Sequence, residues 1–118
     1  VHAMEYPVGG AVHVSHGAGN GLLLPFVMRY NAEVRGELIG RVGQLLGESS
    51  SDPAAAIRAV EKLREGIGLP TRLRDIGVKE EMLPGFAEKA FGIKRLMRVN
   101  PRMPASADDV LAVYRAAF

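Results

Sequence analysis

A chain of 118 residues with 47% hydrophobic and 24% charged content is long enough for one domain with a real core, and too apolar for disorder. It has no cysteine, which excludes disulfides, thiolate metal sites and cysteine nucleophiles together and fits a cytoplasmic protein. The net charge is only +2, and the densest basic stretch (Lys94, Arg95, Arg98, Arg102) has no interleaved aromatic to stack on bases, so no nucleic acid is expected as a partner.

In chain order, residues 1–11 read as a helix entered in mid-pattern, which Pro7, Gly9 and Gly10 weaken or end. Ser15 is an N-cap for a second helix from His16 to about Tyr30, with Leu22, Phe26 and Tyr30 on one stripe and a kink expected at Pro25. A third helix covers about Glu33 to Leu46, with Val34, Leu38, Val42 and Leu45 at helical spacing and Gly47 as its stop. After the polar loop 48–51, Asp52-Pro53 starts a helix to about Gly66 that buries Ile57, Val60 and Leu63. Leu73–Val78 is a connector, Glu80–Met82 a single turn and Leu83–Phe91 a further helix. Asn100-Pro101-Arg102 is a turn, and Ser106 with Asp109 forms a capping box for a last helix with Val110, Leu111, Tyr114 and Phe118 on its apolar face. No segment alternates with period 2. The fold class is therefore all-α, with six to eight helices and short loops in a single helical domain over residues 1–118.

No apolar run approaches the roughly 20 residues that cross a bilayer, and no signal-peptide pattern opens the chain, so no membrane association is expected. Val1 stands where an initiator Met would, which implies processing or a cut inside a longer chain.

All three histidines, His2, His13 and His16, lie in the first 16 residues. That clustering raises the question of a metal. On one straight helix His2 and His16 would stand about 21 Å apart at 1.5 Å per residue. Ligands of one ion must each lie about 2.0–2.2 Å from it, so the pair can meet only if the chain turns back. The Pro and Gly residues at 7, 9 and 10 and the start at Ser15 permit such a return, without requiring it.

The segment His2-Ala-Met-Glu-Tyr-Pro-Val-Gly-Gly, with Ser15-His16-Gly17-Ala18-Gly19-Asn20-Gly21 and Leu22-Leu23-Leu24-Pro25-Phe26-Val27-Met28-Arg29-Tyr30-Asn31, resembles the second signature of the iron-containing alcohol dehydrogenases. The likeness continues at Leu73-Arg74-Asp75-Ile76-Gly77-Val78, at Asn100-Pro101-Arg102 and in the final helix to Phe118. In that family a histidine, 13 intervening residues and a second histidine followed by glycine supply two of four protein ligands to one divalent ion, and His2 and His16 have this spacing.

The resemblance implies a multi-helix C-terminal domain of the dehydroquinate synthase-like fold. It also implies an enzyme that moves hydride between NAD or NADP and a small alcohol or aldehyde, with Fe2+ the family's usual metal and Zn2+ compatible with the same donors. The remaining two ligands and the dinucleotide-binding domain would lie upstream, since the sequence contains neither an Asp-x-x-x-His pair nor a strand followed by Gly-x-Gly-x-x-Gly. On this reading the chain is the metal-binding portion of such an enzyme, inactive alone. The alternative is a free-standing helical module that binds a partner or forms a homodimer, or exchanges its first helix, through the face an upstream domain would cover.

Relatives often carry a further histidine four residues after the first ligand, near the nicotinamide. Here Tyr6 stands there, the one candidate catalytic residue, and two roles are open to it: a hydrogen bond to substrate or cofactor, or plain packing. A phenol with an ordinary pKa near 10 is a poor proton shuttle. His13 falls in the return loop and matches no ligand position. Gly17, Gly19 and Gly21 follow no strand and so read as points of close approach rather than a phosphate cradle. Asn20 has either a role beside the site or one in starting its helix. Met4 and Met28 are core.

Overall fold

The computed structural model describes residues Val1–Phe118. Six α-helices follow in order: α1 His2–Val12, α2 His16–Leu45, α3 Pro53–Gly66, α4 Leu83–Gly92, α5 Lys94–Met97 and α6 Ala107–Ala117. Short 3-10 helices at Leu73–Ile76 and Glu80–Met82 link α3 to α4. The all-α expectation holds, with α5 an addition.

Neither Pro7 nor Pro25 ends its helix, contrary to expectation for the first and with no departure from helical dihedrals around the second. Proline lacks an N–H and its ring crowds the carbonyls of the preceding turn. In both helices the carbonyl three residues before the proline takes a buried side-chain donor from another helix instead. Tyr114 Oη donates to Met4 O at 2.5 Å, and Arg64 Nη1 donates to Leu22 O at 3.0 Å. Tertiary hydrogen bonds thus anchor the turn that each proline weakens.

α1 runs on through Gly9 and Gly10 and stops at His13, whose left-handed backbone (φ 55°, ψ 29°) reverses the chain. Ser15, in extended conformation, then caps α2 with its side chain. The break expected near residues 31–32 lies later, at Arg35 (φ −139°, ψ 32°). Beyond it the expected apolar stripe is not the buried one. Val34, Leu38, Val42 and Leu45 face water, while Ile39, Gly40 and Gly43 are buried against α3. The reason is close packing. A Cβ on Gly40 would stand 1.9 Å from Ser51 O, and one on Gly43 would stand 2.8 Å from the Ala56 Cβ, so only the glycine face lets α3 approach this near.

α3 returns antiparallel along α2, with Pro53 beside Gly36, Glu61 bonded to Arg29 and Arg64 reaching Leu22. It starts as the Asp52-Pro53 signal requires, Asp52 Oδ1 accepting from Ala54 N at 2.9 Å. Its buried face differs from expectation. Ile57 is buried with Ala55 and Ala56, Val60 only partly, and Leu63 faces water because Arg64 occupies the inner face instead.

The larger core gathers α1, the first half of α2, α4 and α6 around Tyr114, which is fully buried and packs against Phe86 with ring centroids 6.0 Å apart. On α6, Val110, Val113, Tyr114 and Ala117 are buried, and Leu111 only partly. The capping box is shifted by one residue at its return arm. Ser106 accepts from Asp108 N, but Asp109 accepts from Ala105 N rather than from Ser106. Arg72 and Arg74 donate to the carbonyls of Ala116 and Phe118, satisfying acceptors that the end of α6 leaves free. Asn100 and Asn31 exchange side-chain hydrogen bonds, and Arg102 donates to Tyr30 O at 3.2 Å. The Asn-Pro-Arg turn is thereby tied to α2. No helix is long and apolar enough to cross a membrane.

Candidate metal centre

The reversal at His13–Ser15 brings the start of α2 back beside the start of α1. Residues 2, 5 and 6 of α1 share one face, being three and four positions apart. His16, the first residue of α2, meets that face. The imidazole centroids of His2 and His16 lie 5.3 Å apart, with the ring planes tilted by 53°. Two imidazoles bound to one ion at about 2.1 Å in tetrahedral array have centroids roughly 5 Å apart, so the pair fits a shared divalent ion. Both residues are exposed, which leaves the space beyond them open to further ligands. No group of three or more His, Cys, Asp or Glu side chains is arranged to hold a metal, so the pair is the chain's candidate donor set.

Tyr6 stacks on His16, with ring centroids 5.9 Å apart and planes within 19° of parallel. Asn20 holds the first turn of α2, its Nδ2 donating to His16 O at 2.9 Å, and its Oδ1 is buried without a partner. His13 is the left-handed cap of α1 and is exposed, as a loop residue should be. Met4 is in the core, and Met28 is partly buried against the α2–α3 contact.

Sequence reasoning missed Glu5. The residue is only 3% exposed, and its Oε2 lies 2.5 Å from His16 Nδ1. Carboxylates are rarely buried unless paired, and this one is paired only with His16. The signal was available: Glu5 stands three residues after His2, on the helical face that also carries Tyr6.

All 118 residues match the C-terminal part of the Fe-containing alcohol dehydrogenase family. The chain belongs to that family. Among curated relatives, the lactaldehyde reductase of Escherichia coli K12 is 36% identical over 100% of this chain and 32% of its own length. The 1,3-propanediol dehydrogenase of Klebsiella pneumoniae is 39% identical over the same shares, 100% and 32%. A crystal structure of a 1,3-propanediol oxidoreductase superposes with TM-score 0.90 at 38% identity, covering 99% of this chain and 32% of that one. An alcohol dehydrogenase from Oenococcus oeni superposes with TM-score 0.89 at 31% identity, again over 99% and 32%. The chain therefore spans about a third of the length of the relatives it matches.

Proposed function

We propose that this chain is the metal-binding, C-terminal helical portion of an NAD(P)-dependent dehydrogenase acting on a small alcohol or aldehyde. The observation that carries the reading is the approach of His2 and His16 across the α1–α2 reversal, at the spacing of two imidazoles on one ion. Neutral imidazoles at these positions would hold the metal, with Fe2+ the family's own ion and Zn2+ compatible with nitrogen donors. Bound there, the ion would supply Lewis acidity toward a substrate oxygen, the chemistry that hydride transfer to or from a nicotinamide needs. Tyr6 closes one flank of the His16 ring, restricting its rotation and keeping water from that side. The dinucleotide site and two further ligands are assigned to a domain outside these 118 residues, so the chain alone is inactive.

The test is a chimera in which this chain replaces the corresponding third of the lactaldehyde reductase. We expect NAD(P)H-linked aldehyde reduction, lowered at least about 100-fold by His2→Ala or His16→Ala, and unchanged by His13→Ala. Full activity in either ligand variant would overturn the assignment.

One observation favours a second reading, self-association as a homodimer. Leu38 and Leu45 are 63% and 76% exposed on a stripe with Val34 and Val42, an apolar face of the kind a second copy covers. The first helix is by contrast packed into its own chain's core. Light scattering should show mass rising toward a dimer with concentration, and a strictly monomeric chain at high concentration would contradict this reading.

A further inference from the structure

We infer that Glu5 is a positioning residue for His16, holding its ring in the tautomer that carries the proton on Nδ1 and leaves Nε2 free to bind a metal. The inference rests on the reading of His16 as a ligand. His16 Nδ1 lies 2.5 Å from Glu5 Oε2, within hydrogen-bond distance. An ionised carboxylate can only accept, which places the proton of this contact on the imidazole. Histidines that bind metals through one ring nitrogen commonly donate from the other to a carboxylate, which sets orientation and raises the basicity of the binding nitrogen.

The slot that holds the carboxylate is built by glycines from both helices. A Cβ on Gly9 would stand 2.4 Å from Glu5 Oε1, and one on Gly19 would stand 2.8 Å from Glu5 Cγ and 3.1 Å from Oε1. Gly9 lies on α1 and Gly19 on α2, and neither has a positive φ, so neither is required by its backbone conformation. What requires them is room for Glu5. A carboxylate this enclosed is costly unless its partner is fixed, and the side chain of His16 is 55% exposed against 4% for Glu5. The buried group therefore orients the exposed one.

The other polar group near the ring does not compete for the binding nitrogen. Asn20 Nδ2 lies 3.1 Å from Nε2 and 3.3 Å from Nδ1. A donor aimed along one lone pair would stand far from the opposite nitrogen, so near-equal distances place Asn20 beside the ring between the two, off either lone pair.

The experiment reads the ring nitrogens directly. Long-range 1H–15N correlation spectra of the metal-free chain at mildly alkaline pH report which nitrogen carries the proton. In the unmodified chain His16 should be the Nδ1–H tautomer. Glu5→Ala should release it toward the Nε2–H form that free imidazole prefers, and lower Zn2+ affinity about 10- to 100-fold. Glu5→Gln, whose amide oxygen still accepts, should keep the tautomer and most of the affinity. Gly19→Ala leaves the carboxylate in the chain but displaces it, and should reproduce the tautomer change of Glu5→Ala. An Nε2–H tautomer in the unmodified chain would overturn the inference, as would a His16 signal indifferent to both Glu5→Ala and Gly19→Ala. Because these spectra need no metal, a failure of Zn2+ to bind at all would count against the ligand reading of His2 and His16, and would leave the tautomer result to judge Glu5 by itself.

Discussion

Replacing His16 by alanine is expected to remove site-specific binding of a divalent ion, cutting affinity for Co2+ or Zn2+ by at least about 100-fold. The scale follows from ligation. Disturbing a residue behind a metal ligand already costs about 10- to 100-fold in affinity, and deleting one of a pair of imidazoles leaves a single donor of the kind any exposed histidine offers. His2→Ala should match it, because each ring depends on the other standing 5.3 Å away. His13→Ala should leave binding unchanged, since His13 caps α1 and matches no ligand position. Cobalt titration followed by its visible absorption measures all three, and an undiminished spectrum in His16→Ala would contradict the expectation.

The second large effect concerns Tyr114 and alkaline pH. Burial first, and the Glu5 charge second, push the Tyr114 phenol well above its ordinary value of 10.0. The unfolded chain releases this proton near pH 10, whereas the folded chain keeps it. The stability attached to the neutral phenol is therefore fully present below pH 10 and is lost as pH rises beyond it. The loss runs at up to about 1.4 kcal/mol per pH unit while only the unfolded chain is ionised. Denaturant midpoints measured from pH 8 to pH 12 should fall on the alkaline side, and Tyr114→Phe should flatten most of that slope. Tyr30, also raised first by burial, leaves a residual slope. At neutral pH Tyr114→Phe should cost about 1–2 kcal/mol, because Met4 O loses its donor in the turn that Pro7 has loosened. Tyr114→Ala should cost about 3–5 kcal/mol, since it empties the centre of the core. An unchanged alkaline slope in Tyr114→Phe would show that the group does not govern it.

These effects depend on features of unequal legibility. The helix starts at Ser15, Asp52 and Ser106 were readable because each rests on a local hydrogen bond between a side chain and a nearby N–H. The prolines misled for the opposite reason. Their local effect is disruptive, and the donors that offset it, Tyr114 and Arg64, lie 110 and 42 residues from the carbonyls they reach, Met4 O and Leu22 O. Val34, Leu38, Val42 and Leu45 show a third limit. Helical spacing reveals which residues share a face, but not which face is covered, and here the covered one was marked by Gly40 and Gly43. At the candidate site, the pairing of His2 with His16 was implied by the family resemblance, while their spacing alone only permitted it. The place of Glu5 on the His2 face was legible too, but its burial was not, since a carboxylate in a helix usually means a solvated face. Its burial depends on Gly9 and Gly19 arriving from two helices at once.

The most direct test of the central claim is to add Zn2+ to the 15N-labelled chain while following the imidazole signals of its three histidines. The account predicts that His2 and His16 shift together and saturate at one ion per chain, with His13 unmoved and with the binding nitrogen of His16 identified as Nε2. Independent responses of all three rings, or saturation of His2 with His16 unaffected, would contradict it.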